Sequence, residues 1–289
     1  MPNEGLSTRG MKGLSALSAL CLLLLGGCAE LAALDLGPFN INGRQGANPL
    51  GYDTLMRLGA AARAGGDQAN AVALYRQAAN VELLAAAPMV GAGNTLMEMG
   101  QVDEAILSYK SALQRVANDP EALRGLAKAY LRTARPELAG APLSAAYKAT
   151  PDDPKLLQLI GVADDFIGQH KEAQARYKRG LELLPRDPAL TLDLALSLAL
   201  TGNYPEAIGL LRPLATAPIG TARERQTLAL IYGLAGDRKA AEQMARRDLD
   251  PASVEHNLAF YDRLRKLSPE ARRRAIQSLS AVNTAAGKS

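Results

Sequence analysis

PDDPKLLQLIGVADDFIGQHKEAQARYKRGLELLPRD, residues 151–187, contains one unit of a pattern that runs through most of the chain. Pro154 suits the first turn of a helix, where its missing N–H costs nothing. Leu157, Ile160 and Gly161 recur at helical spacing, and Gly168 stops the run. A second helix is predicted from about Lys171, with Ala173, Tyr177 and Gly180 along it and Pro185 at its end. Neither helix can bury its apolar stripe alone, so the unit needs copies of itself.

The copies are present at a shift of 34 residues. Ala71, Ala105, Ala139, Ala173, Ala207 and Ala241 form one column. Five residues before each stand Gly66, Gly100, Ala134, Gly168, Gly202 and Gly236, which supply a turn with positive φ. Twelve before each stand Gly59, Gly93, Ala127, Gly161, Ala195 and Ala229, where small size lets helices cross closely. Larger residues fill between them: Leu58, Ala92, Leu126, Ile160, Leu194 and Leu228 on the first helices, and Tyr75, Tyr109, Leu143, Tyr177 and Leu211 on the second.

At these residues the chain resembles the tetratricopeptide repeat, a 34-residue helix–turn–helix with small residues at its eighth, twentieth and twenty-seventh positions. The resemblance implies an all-α solenoid of six units: 52–85, 86–119, 120–153, 154–187, 188–221 and 222–255. Departures stand at Asp164, where a large apolar residue is usual, and at Arg225, Ala245 and Asp248. Asp248 is expected to leave the last second helix partly exposed or to turn it early. Residues 256–289 read as a degenerate seventh unit and tail, a capping helix pair broken at Ser268-Pro269-Glu270.

Composition agrees with close-packed helices. The 289 residues include no Trp and 4% aromatics, and the net charge of +4 is spread along the chain apart from Arg272, Arg273 and Arg274. No groove-reading motif or interleaved aromatics point to nucleic acid. Cys21 and Cys28 are the only cysteines, so the body has no disulfide framework. Catalytic material is thin: His170 and His256 are the only histidines, and the acidic pairs Asp152-Asp153 and Asp164-Asp165 lack ligand partners at metal-binding spacing. The chain is read as non-enzymatic, with no metal and no cofactor.

The first residues carry a different message. Met11 and Lys12 precede an apolar run from Leu14 to Leu25, too short to span a bilayer, followed by Gly26-Gly27-Cys28. Residues 1–27 resemble a bacterial lipoprotein signal peptide, which implies that Cys28 becomes the lipidated first residue of the mature chain. Met11 is an alternative start. Ala29 follows the cysteine, so the resemblance favours the outer membrane, facing the periplasm. Residues 28–51, with Gly37, Pro38, Gly43, Gly46 and Pro49, read as the lipid anchor and a flexible tether of roughly 25 Å typical span.

The repeat resemblance also implies a partner-binding groove lined by the first helices. Asn94, Arg124 and Lys128 resemble part of a carboxylate clamp, though Met56 and Ala60 stand where the clamp's first unit would supply Lys and Asn. Phe166, Leu192, Leu196, Leu200, Leu230 and Leu234 form an apolar strip. That strip is either an open seat for a partner's amphipathic segment or the seat of the chain's own capping helices.

Finally, Leu228-Ala229-Leu230, Gly233 to Asp237, Ala241-Glu242, Arg247-Asp248-Leu249 and Asn257-Leu258 resemble the closing motif of the TadD-type lipoproteins of tight-adherence (Tad/Flp) pilus assembly. The resemblance implies a pilotin-like adaptor for the outer-membrane secretin or another pilus component. The alternatives are an envelope adaptor for peptidoglycan enzymes or proteases, and a groove-binding secretion chaperone.

Overall fold

The computed structural model of the protein describes residues 50–276. The signal peptide at 1–27, lipidation at Cys28, nearly all of the tether at 28–51 and the tail beyond 276 lie outside the described residues.

Successive helices pair in chain order: α1 (Tyr52–Ala64) with α2 (Gln68–Val81), α3 (Ala87–Met99) with α4 (Val102–Arg115), and α5 (Pro120–Arg132) with α6 (Pro136–Ala149). The pairs continue as α7 (Pro154–Phe166) with α8 (His170–Leu183), α9 (Pro188–Leu200) with α10 (Tyr204–Thr216), and α11 (Ala222–Ala235) with α12 (Arg238–Ala245). Then α13 (Pro251–Arg265) closes the stack, and a closing helical segment occupies 269–276. Each helix packs on its neighbours in sequence, which is the contact pattern of a solenoid.

The local chemistry explains the regularity. Asp119, Asp153 and Asp187 cap α5, α7 and α9 through their carboxylates, each followed by a proline at the first helical position. Thr221 and Glu224 form a reciprocal capping box on α11. Between paired helices, Gly66, Gly100, Gly168, Gly202 and Gly236 take φ between 78° and 90°, and Ala134 is forced into the same region at 54°.

The small-residue column has a specific occupant. A Cβ on Gly161 would stand 2.5 Å from Tyr177 Cε1, and one on Gly59 would stand 3.0 Å from the Tyr75 ring. Gly93 and Gly125 likewise leave no room beside Tyr109, and Gly91 none beside Tyr75. The pairing is consistent: a unit with Tyr on its second helix has Gly on its first. The units with Leu143 and Leu211 have Ala127 and Ala195 instead. Ring thickness is thus balanced against a missing methyl.

Two departures from the repeat are explained by position. Leu58, expected as filler, is 40% exposed, since among the described residues no unit precedes the first. Only 8 residues long, α12 ends early, where Arg225 forms an ion pair with Asp248 and donates to Gly220 O. The pair fixes the chain as it leaves the last full unit, and Gln226 adds a hydrogen bond to the same carboxylate at 3.2 Å.

Candidate functional site: the inner face of the first helices

The fifth, ninth and thirteenth residues of the first helices share one face, and the candidate site residues lie along it. At its basic end the expected clamp is not free. Both Arg124 terminal nitrogens are taken, one by Asp153 and one by Glu121. Asp153 is also the cap of α7, accepting from Lys155 N at 2.9 Å. Asn94 Oδ1 accepts the Tyr109 hydroxyl at 2.7 Å. Lys128 is exposed. The clamp reading is therefore corrected: the tertiary structure spends Arg124 on joining units three and four, leaving Lys128 as the accessible cation of the three.

The apolar strip is also redistributed. Phe166 packs against the cluster that holds Tyr130, Leu156 and Ala163. Leu192, 5% exposed, is a core residue between units four and six. Leu196, Leu200 and Leu230 surround Leu234, which is 3% exposed, together with Leu264 of α13 and Ile276 of the closing segment. Of the two occupants left open by the sequence, the chain's own C-terminal helices are the one seen. Burial of aliphatic surface at about 25 cal/mol per Å² makes leaving such a strip in water unfavourable when a segment is at hand.

Between these two zones lies a polar cluster that the sequence signalled only as an irregularity. Asp165 accepts three hydrogen bonds: the Tyr177 hydroxyl at 3.0 Å, Ser197 Oγ at 2.8 Å and His170 Nδ1 at 2.6 Å. One carboxylate thereby ties α7 to α8 and α9. Nearby, Gln158 Nε2 donates to Asp193 at 2.6 Å. Burial pushes the Asp193 carboxyl up to about 6, outweighing Gln158 and Arg223, which oppose the rise. Burial likewise raises Asp164 to about 6, against the pull of Arg176. The Tyr177 phenol is raised by burial first and by the Asp165 and Asp193 charges next, so it stays a neutral donor.

This constellation holds a serine, a histidine and an aspartate, but in the wrong order for nucleophilic catalysis. Ser197 and His170 both end on Asp165 Oδ1, whereas activation of a hydroxyl needs it bonded to the histidine. The cluster joins helices. His170, Tyr177 and Ser197 were not singled out from sequence as its members. The available signal was Asp165 on a first helix, where the other units carry Arg63, Met97, Leu131, Ala199 and Gly233.

The comparisons with known proteins agree with the geometry. The tetratricopeptide repeat family matches residues 90–154 and 163–218. No curated protein sequence matches. A tetratricopeptide repeat protein from Parabacteroides merdae has a solved structure 17% identical over 74% of this chain and 86% of that one, with a TM-score of 0.61. PilW, a widely conserved type IV pilus biogenesis factor, is 20% identical over 68% of this chain and 91% of its own, with a TM-score of 0.62. PilF of Pseudomonas aeruginosa is 18% identical over 78% of this chain and 96% of its own, with a TM-score of 0.56. Identities at this level speak to fold alone. With its 34-residue register, left-handed glycine turns and helices stacked in order, the chain has the all-α fold of a tetratricopeptide-repeat solenoid, and residues 90–154 and 163–218 match that family's repeat.

Proposed function

We propose that this protein is a non-enzymatic, lipid-anchored scaffold at the periplasmic face of the outer membrane. It acts as a pilotin-like adaptor in Tad/Flp pilus assembly, holding a segment of the secretin or another pilus component on its inner face. The observation that carries this reading is the closing motif, from Leu228 through Asn257-Leu258, which resembles the TadD-type lipoproteins. The likeness of the fold to PilW, a pilus biogenesis factor, supports it. The Leu25-Gly26-Gly27-Cys28 signal supports the anchor and the compartment.

The structure adds a physical account of the motif. Gly233 has no Cβ because Tyr261 of α13 lies against it, and Gly236 makes the left-handed turn. Ala241 is fully buried, Asp248 pairs with Arg225, and Leu258 joins the core under α13. These residues build the last unit and seat its cap.

The test is a photo-crosslinking residue placed at Lys128 in the full chain, expressed in cells that make Flp pili. Recovery of the secretin or another pilus component is expected. Crosslinks confined to peptidoglycan enzymes or proteases would reject the pilus assignment. In parallel, Cys28→Ser should move the protein out of the outer-membrane fraction, and unchanged fractionation would reject the anchor.

A further inference from the structure

Guanidinium groups lie at the ends of some first helices, those of α3, α7 and α11, while the turns at Gly66 and Gly202 after α1 and α9 are open. Arg132 Nη1 donates to Met97 O at 2.7 Å at the end of α3, beside left-handed Gly100. At the end of α11, the Arg265 guanidinium lies against Gly236. A cation suits these places because the last carbonyls of a helix and the negative end of its dipole point there. At the end of α7 the equivalent of Arg132 is Leu200, one unit-to-unit step beyond Gly168, so the next unit supplies no guanidinium. The closing segment supplies it instead. Arg273 Nη1 lies against Gly168 in the space a Cβ would need, beside the last turn of α7 with Asp164 and Asp165.

One helical turn further on, Ile276 is 5% exposed and packs with Leu196, Leu200, Leu230 and Leu234. Arg273 and Ile276 therefore present a cation and an aliphatic group on one side of the segment, to the end of α7 and to the leucines respectively. The seat is imperfect. Arg273 Nε is buried without a hydrogen-bond partner, which leaves free energy for a better ligand to gain. The segment leaves α13 through a break at Ser268-Pro269, and the described part makes just two helical turns.

We propose that the closing segment is an intramolecular occupant of the inner face, and that a protein partner enters by exchange. The partner's segment is helical and presents an arginine or lysine with a large aliphatic residue one turn later, copying Arg273 and Ile276. This rests on the inner face being the partner site, as in the reading above, but not on which envelope machine supplies the partner. A chain whose groove is filled until a matching segment arrives does not expose the leucine strip to unrelated proteins.

The probe is a fluorescent synthetic peptide of residues 268–280, titrated into the full-length protein and into its Arg273→Glu/Ile276→Glu variant. The variant is expected to bind the peptide at least tenfold more tightly than wild type. The same two changes made in the peptide should abolish binding to both chains. Equal binding to the two chains, or none to a variant that keeps its helicity, overturns the proposal. Should the variant lose helicity, the decision passes to a tethered chain carrying Leu200→Cys and Ala275→Cys in a Cys21→Ser/Cys28→Ser background. There, oxidation should form the disulfide and exclude the peptide, and reductant should restore wild-type binding. No disulfide, or binding indifferent to it, overturns the proposal. Crosslinking from Lys128 reads a different outcome, so failure of the pilus assignment and failure of the exchange are separable.

Discussion

Replacing Gly161 by alanine exposes the rule that pairs ring with glycine. Alanine favours a helix over glycine by about 1 kcal/mol, so on propensity alone Gly161→Ala would stabilise α7. The tertiary structure reverses the sign. The new Cβ would lie 2.5 Å from Tyr177 Cε1, 2.8 Å from Cζ and 2.9 Å from Cδ1. Carbon atoms pack at about 3.5–4.0 Å, so the ring must retreat by about 1 Å. It has nowhere to go, being 1% exposed and held by its hydroxyl on Asp165 at 3.0 Å. Overpacking of this kind costs about 1–3 kcal/mol, and weakening a hydrogen bond to a carboxylate adds about 1 kcal/mol. After the propensity gain is subtracted, Gly161→Ala should destabilise by about 2 kcal/mol.

The same change made on Tyr177→Leu should act the other way. That background reproduces the leucine of units three and five, where Ala127 and Ala195 are native, so Gly161→Ala should now stabilise by about 1 kcal/mol. The two backgrounds thus differ by about 3 kcal/mol, a coupling large enough for a double-mutant cycle to resolve. Repeat arrays depart from two-state unfolding, so the readout should be native-state hydrogen exchange of α7 and α8 amides, with urea unfolding beside it. Stabilisation by Gly161→Ala in the wild-type background, or additivity across the cycle, would refute the ring-for-methyl account.

Three further expectations rest on single features. Ala134→Gly should stabilise by about 1 kcal/mol, because a left-handed alanine costs about 1–2 kcal/mol and the extra freedom of an unfolded glycine returns part of that; a fall in Tm would contradict it. With its folded pKa pushed up to about 6, Asp193 favours the folded state more as pH falls from 7 towards 4. Asp193→Asn should flatten that rise in stability measured by urea midpoints across the range, Asp164 retaining a smaller one. Asp248 behaves oppositely, since Arg225 holds its carboxyl below the usual 3.8, and its contribution is lost only as pH drops through that lower value. Asp248→Asn should therefore loosen α12 and α13 at neutral pH, seen as faster amide exchange confined to the last unit and its cap.

The sequence by itself determined the repeat. A 34-residue period held without insertion sets where helices begin, where turns need positive φ and which residues face inward, because these are local properties copied down the chain. Glycine opposite tyrosine and alanine opposite leucine could also be read there, once the columns were aligned. The fate of the inner face could not. Arg124 and Lys128 look equivalent on paper, yet only the folded chain brings Asp153 and Glu121 onto Arg124 and leaves Lys128 exposed. Asp165 reads as a break in the pattern until α8 and α9 deliver Tyr177, His170 and Ser197 to it. The leucine strip is open or closed according to the path taken after Ser268, and that path brings Ile276 back over units five and six. Periodicity is written residue by residue. Occupancy is decided by the competition between water and a distant segment for the same apolar surface, and tertiary structure alone resolves it.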